Sequence, residues 1–199
     1  MPGLKTLALV AALLTTAAPA AAATYVGSHT VGTSGLVNVS ITTDDTLGVL
    51  GSGNILDWTI HVQNSTESQD LFGPLSGANS VLRLGGTALS ATSTELLFDY
   101  DGQGVLAFVT EFSSAVRGLC LDGAVPFTAR CLGAPTGSEL LVFGIPNPDN
   151  LKVLFSGTRQ LGMATAGAAP EPGAWALMIA GFGLAGGALR RRGLRRVAG

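Results

Sequence analysis

The chain has 199 residues, 11 of them basic and 13 acidic, and this length predicts one domain with additional segments. Between Thr24 and Ala169, five basic residues oppose twelve acidic ones, a net charge of −7. The whole chain carries a net charge of −2 because five arginines lie in the last ten residues. An acidic body without a basic patch argues against nucleic acid as a partner.

Residues 1–23 have the pattern of a secretory signal peptide. Lys5 supplies the positive charge, residues 6–18 form the apolar stretch, and residues 18–23 supply the small side chains that signal peptidase needs. We predict export through the Sec translocon and cleavage by signal peptidase after Ala23. The alternative interpretation is a buried N-terminal helix.

Residues 24–163 show the alternation that is typical of β-strands. Alternation predicts two apolar strand faces, one made by Val37, Val39 and Ile41 and the other by Leu56, Trp58, Ile60 and Val62. Turn residues recur about every 8 to 12 positions, as in sandwiches and barrels. The sequence therefore predicts an all-β ectodomain, a single β-sandwich of roughly eight to ten strands.

Further strands are predicted in the second half of this body. Residues 95–100 and 105–109 flank Asp101-Gly-Gln-Gly104, which is typical of a hairpin turn. Residues 139–143 and 151–155 flank a longer turn, and a last strand is expected over about 157–163.

Cys120 and Cys131 are the two cysteines of the chain. An even number of cysteines in an exported protein favours a disulfide over a reactive thiol or a metal pair. We therefore predict that Cys120 and Cys131 form a disulfide.

His29 and His61 are the only histidines, so any hydrolytic triad would need one of them as its base. His61 shares its predicted strand face with Asp57, but the chain has no Gly-x-Ser-x-Gly motif. We interpret His61 as an exposed strand residue, and we predict neither catalytic residues nor a metal site.

Two acidic segments could in principle attract calcium. Asp99 and Asp101 begin like a calcium loop, but Thr110 stands where an EF-hand requires glutamate, so a turn is favoured. Asp44 and Asp45 are interpreted in the same way, as a solvated turn. We predict no cofactor.

Trp58 is the candidate for a sugar-stacking residue, because aromatic rings stack on the apolar faces of sugars. Its alternation with polar neighbours favours packing in the core instead.

A linker over 164–169 leads to a C-terminal tail over 170–196. Residues 174–189 are apolar and are followed by Arg190, Arg191 and Arg192, a pattern that indicates a transmembrane helix with its arginines in the cytoplasm. Sixteen residues span about 24 Å, less than the usual hydrocarbon thickness of about 30 Å. Such a helix suits a temporary anchor in the inner membrane.

The tail resembles the PEP-CTERM sorting signal of Gram-negative bacteria. The resemblance rests on Pro170-Glu171-Pro172, on Trp175, on the Gly-Phe-Gly run at 181–183 and on the terminal arginines. It implies that an exosortase recognises these residues, cuts near Pro-Glu-Pro, and releases or transfers the body. It also implies association with extracellular polysaccharide and biofilm matrix.

The sequence therefore predicts an exported surface or matrix protein that is not an enzyme. It would be anchored in the inner membrane transiently and then reach the cell surface or the extracellular matrix. The alternative is a carbohydrate-binding module for the organism's own exopolysaccharide, and a hydrolase with an unrecognised site is a third class.

Overall fold

The computed structural model describes residues 22–111, 115–124, 135–144, 150–165 and 181–182. These residues form the all-β architecture predicted from the sequence, with strands arranged in two sheets. No helix within the described ranges is both long enough and apolar enough to cross a membrane. The predicted signal peptide and the predicted transmembrane helix lie, apart from residues 22, 23, 181 and 182, outside the described residues.

The described residues contain thirteen strands, more than the eight to ten predicted, because several are too short for alternation to reveal. In chain order they are β1 (Ala23–Val31), β2 (Gly35–Thr43), β3 (Gly48–Val49), β4 (Ile55–Gln63), β5 (Ser68–Phe72), β6 (Val81–Gly86), β7 (Leu89–Ala91), β8 (Glu95–Asp99), β9 (Gly104–Val109), β10 (Arg117–Asp122), β11 (Ser138–Phe143), β12 (Leu151–Leu154) and β13 (Thr158–Ala164).

One sheet has eight strands in the order β3-β7-β8-β13-β1-β2-β4-β5, and the other has five in the order β12-β11-β10-β9-β6. The largest hydrophobic cluster joins inward-facing side chains of both sheets, among them Tyr25, Ile60, Phe98, Phe108 and Leu141. Because each sheet buries one face against the other, the molecule is a β-sandwich.

The strand β13 occupies a central position in the large sheet. It pairs antiparallel with β8 on one side and with β1 on the other, where Tyr25 and Val26 lie opposite Ala164 and Met163. The last strand predicted from the sequence is therefore confirmed. Without β13, the strands β3, β7 and β8 would have no ladder connecting them to β1, β2, β4 and β5.

The predicted apolar faces are confirmed with one exception. Val37, Val39 and Ile41 are buried, as are Trp58, Ile60 and Val62, but Leu56 is 37% exposed. The register between β2 and β4 shifts between Thr42 and Thr43, so that Ile55 lies opposite Thr43. This irregularity lets Ile55, which is buried, take the inward position that alternation assigns to Leu56.

The predicted hairpin at Asp101-Gly-Gln-Gly104 is wrong. The strand before it, β8, belongs to the large sheet, whereas β9 pairs with β6 and β10 in the small sheet. The turn therefore carries the chain from one sheet to the other. By contrast, the predicted pair over 139–143 and 151–155 does form an antiparallel hairpin, β11 with β12.

The three central strands of the small sheet, β9, β10 and β11, are buried on both faces. Leu106 and Phe108 of β9 belong to the core between the sheets, while Val105, Ala107 and Val109 belong to a second buried cluster with Cys120 and Val142. Burial on both faces explains why β9 and β11 are almost continuously apolar in sequence.

Candidate functional site

The two ends of the β-sandwich leave it side by side. The backbone N–H and the Oγ1 hydroxyl of Thr165 both donate to the carbonyl oxygen of Thr24, at 2.8 and 3.0 Å. We call these two residues and their hydrogen bonds the neck. Just inside the neck, Tyr25 is fully buried and its hydroxyl donates to the carbonyl of Thr92, 2.8 Å away. Within the described residues, the sandwich therefore begins next to the predicted signal-peptidase site and reaches into the predicted linker.

The neck limits how far the sorting tail can be from the folded body. Only residues 166–169 separate Thr165 from Pro170. Five backbone steps span at most about 17 Å when fully extended. An enzyme that cuts near Pro170 must therefore work close to the end of β13.

A shallow groove of about 460 Å³ lies beside Trp58, lined also by Ser52, Ile55, Pro74, Ser80 and Val81. The Trp58 ring is 6% exposed, its Nε1–H donates to Ser80 Oγ at 2.8 Å, and its centroid lies 5.4 Å from that of Phe108. The predicted core packing of Trp58 is thus confirmed. Because Trp58 is 6% exposed, it offers little area on which a sugar could stack.

A buried polar cluster, formed by His29, Tyr100 and Glu139, bridges the two sheets. His29 on β1 places Nε2 2.6 Å from Oε1 of Glu139 on β11, and the Tyr100 hydroxyl donates to Oε2 at 3.3 Å. The Glu139 side chain is 1% exposed and that of His29 is 16% exposed. Because an unpaired buried carboxylate is costly, these two partners stabilise the charge of Glu139 inside the sandwich.

The environment of Tyr100 keeps its hydroxyl protonated. Burial raises the pKa of Tyr100 far above its usual range, the charge of Glu139 raises it further, and Arg159 opposes this effect. Arg159 itself lies 3.9 Å from the centroid of the Phe155 ring, which packs against Tyr100. A neutral Tyr100 can donate its hydroxyl proton to the carboxylate, and a buried carboxylate needs hydrogen-bond donors.

His61 forms a second histidine–carboxylate pair on the surface. Its Nδ1 lies 2.6 Å from Oδ1 of Asp70 on the neighbouring strand β5, and the two side chains are 34% and 58% exposed. The predicted strand position of His61 is confirmed. The sequence places Asp57 on the same predicted strand face, and its carboxylate accepts hydrogen bonds from the backbone of Leu75 and the hydroxyl of Ser76.

The acidic segments considered for calcium form hydrogen-bonded turns. Asp99 Oδ1 accepts from the N–H of Asp101, and Asp101 Oδ2 accepts from the N–H of Gly157. Hydrogen bonds from the Asn54 side chain and from Thr46 lower the pKa of Asp44. Among the described residues, no group of three or more His, Cys, Asp or Glu could hold a metal ion.

Cys120 lies on β10 and is 2% exposed, within the second buried cluster, whereas Cys131 lies outside the described residues. The disulfide between them stays a prediction.

If the disulfide forms, we expect the exported protein to show no titratable thiol. Replacing both Cys120 and Cys131 by alanine should lower the free energy of unfolding, measured by urea denaturation, by about 2 to 3 kcal/mol. Two reactive thiols in the folded exported protein would contradict the disulfide.

The predicted sorting residues Pro170, Glu171, Pro172, Trp175, Arg190, Arg191 and Arg192 lie outside the described residues, so the structure does not place them. Residues 168–192 match the family model of the PEP-CTERM protein-sorting motif. This match confirms the resemblance predicted from the sequence and is consistent with an exported protein that an exosortase processes. No curated protein and no solved structure matches the chain.

Proposed function

We propose that this chain is a non-catalytic protein of the cell surface or extracellular matrix, anchored in the inner membrane until an exosortase cuts its tail. The observation that carries the proposal is the match of residues 168–192 to the PEP-CTERM motif. The described sandwich extends to Thr165, five residues before Pro170, and this arrangement fits the role of a cargo domain with a removable tail.

The proposed route uses three further partners. The Sec translocon exports the chain, signal peptidase removes residues 1–23, and residues 174–189 hold the tail in the inner membrane with Arg190, Arg191 and Arg192 on the cytoplasmic side. A released or transferred body then associates with extracellular polysaccharide in the biofilm matrix. The net charge of −7 between Thr24 and Ala169 keeps the body away from anionic membrane surfaces.

Replacement of Pro170, Glu171 and Pro172 by alanine tests the processing step. Proline disfavours helix and favours an extended backbone in the residue before it, and proteases bind peptides in extended form. We expect the variant to stay in the inner-membrane fraction at its uncut mass, while the wild-type chain loses its tail. As a control, Pro74→Ala changes a proline of the body and should leave processing unchanged. Equal processing of the triple variant would overturn the proposal.

A carbohydrate-binding module is the second candidate function, and the groove beside Trp58 is the observation that favours it. The groove could hold part of a sugar chain against Trp58 and Ser52, which both line it. We expect binding to the host's exopolysaccharide to fall at least tenfold in Ser52→Trp, which fills the groove from its exposed rim. Asp70→Asn changes a residue that does not line the groove and is the control. Binding that is equal in all three proteins excludes the groove.

A further inference from the structure

The groove beside Trp58 has an exposed apolar side chain directly at its rim. Pro74 lines the groove, and the next residue, Leu75, is 79% exposed, more than any other large apolar side chain in the described part of the chain. Val81, which also lines the groove, is 44% exposed. We propose that this surface joins two copies of the chain, with Leu75 of each copy inserted into the groove of the other.

A protruding side chain and a groove on one surface can form a self-complementary contact. Around a two-fold axis, residue i of one copy contacts residue j of the other and j contacts i, so both grooves are filled at once. The lining of the groove is mainly apolar and includes Ile55, Pro74, Ala78 and Val81 beside Trp58. Burying a leucine against these side chains removes apolar surface of both copies from water, and this burial drives the association.

The loop that carries Leu75 is held in place before any partner arrives. The N–H of Leu75 donates to Asp57 Oδ1 at 3.1 Å, and Ser76 Oγ lies 2.8 Å from the carbonyl oxygen of Trp58. Ala78, which lines the groove, has a φ of +52°, in the left-handed region that glycine occupies at less cost. Because the loop is already ordered, association costs less conformational entropy than it would for a mobile loop.

The charge of the body favours a second copy as the occupant of the groove. The net charge of −7 between Thr24 and Ala169 makes two copies repel each other. Apart from Trp58, however, the lining residues come from two segments with almost no charge: residues 46–56 contain no charged residue, and residues 71–94 contain only Arg83. Depletion of charged residues is typical of the cores of protein interfaces. Two acidic bodies can therefore meet at the surface where their repulsion is weakest.

Sedimentation velocity of the exported protein, purified from its native host, measures this association. We expect the mass to rise from that of a monomer to that of a dimer as the concentration increases from micromolar to millimolar. Leu75→Asp would bring a charge into the apolar groove, and Ser52→Trp would fill the groove, so each should raise the dissociation constant by about tenfold or more. Both residues are exposed, so neither change disturbs the core.

The control is Leu154→Asp, which adds the same charge at another exposed leucine. Leu154 lies on β12, is 64% exposed and does not line the groove. We expect this variant to keep a dissociation constant within about threefold of the wild type, since general repulsion between surface charges is weak in salt. A chain that keeps its tail is measured in detergent with the same three variants, because the proposal does not depend on processing.

Cross-linking between copies tests the orientation of the contact. Leu75→Cys chains mixed with Ser52→Cys chains under oxidising conditions should give a mixed disulfide dimer, because residue 75 of one copy lies in the groove of the other. Leu154→Cys chains mixed with Ser52→Cys chains should not. A protein that stays monomeric over the whole concentration range overturns the proposal, even if its groove binds the exopolysaccharide. A dimer that neither Leu75→Asp nor Ser52→Trp weakens overturns it as well.

Discussion

A body that ends at Gly157 should fail to fold, whereas a body that ends at Thr165 should fold as well as a longer chain. The strand β13 carries Leu161 in the core and provides ladders to β8 and β1. Removing it would leave two unpaired edges in the middle of the large sheet and expose Tyr25 and Phe98, both fully buried. Circular dichroism and urea denaturation of residues 24–157, 24–165 and 24–172 measure the effect.

The comparison between the last two chains is the control for this prediction. Residues 166–172 lie beyond the neck, so the midpoints of denaturation of 24–165 and 24–172 should agree within about 0.3 M urea, equivalent to about 0.5 kcal/mol. A cooperatively folded 24–157 chain would show that β13 is dispensable.

His29→Ala should destabilise the body by about 3 kcal/mol, because it removes one of the two described partners of a buried carboxylate. Glu139, which is 1% exposed in the folded protein, would then keep the more distant Tyr100 hydroxyl as its described partner. The free energy of unfolding in urea gives the value directly.

The chain provides an unusually close control in its other histidine. His61 lies at the same 2.6 Å from Asp70, but the pair is exposed, so His61→Ala should cost less than about 1 kcal/mol. In the His29→Ala background, Glu139→Gln should recover part of the loss because it removes the buried charge. If both histidine substitutions lower the free energy of unfolding equally, then the burial of Glu139 does not explain the effect of His29→Ala.

The sequence predicts the local faces of strands better than their partners. Alternation identified the buried residues of β2 and most of those of β4, because each strand exposes one face to the core. Alternation could not predict that Ile55, rather than Leu56, is the buried residue at the start of β4, because this depends on the register between β4 and β2. It also missed β1 as a strand, where Gly27 and His29 take inward positions that apolar residues usually fill.

The same limit explains the wrong hairpin and the missed polar cluster. Turn residues at 101–104 indicate a reversal of the chain but not which sheet the next strand joins. The contact between His29 and Glu139 joins residues 110 apart in sequence, on strands of different sheets, and nothing local marks it. The sorting motif, by contrast, is contiguous, which is why its match over 168–192 could be predicted from the sequence.

Intact mass spectrometry of the protein recovered from the medium and envelope of its native host tests the central claim most directly. If both terminal segments are removed, we expect one species that begins near Thr24 and ends between Thr165 and Pro172. Its mass should be 2 Da below that of the reduced chain if Cys120 and Cys131 form a disulfide. A species in the inner membrane that retains Trp175 through Gly199, with no shorter form in the medium or envelope, would contradict processing and make the tail a permanent anchor.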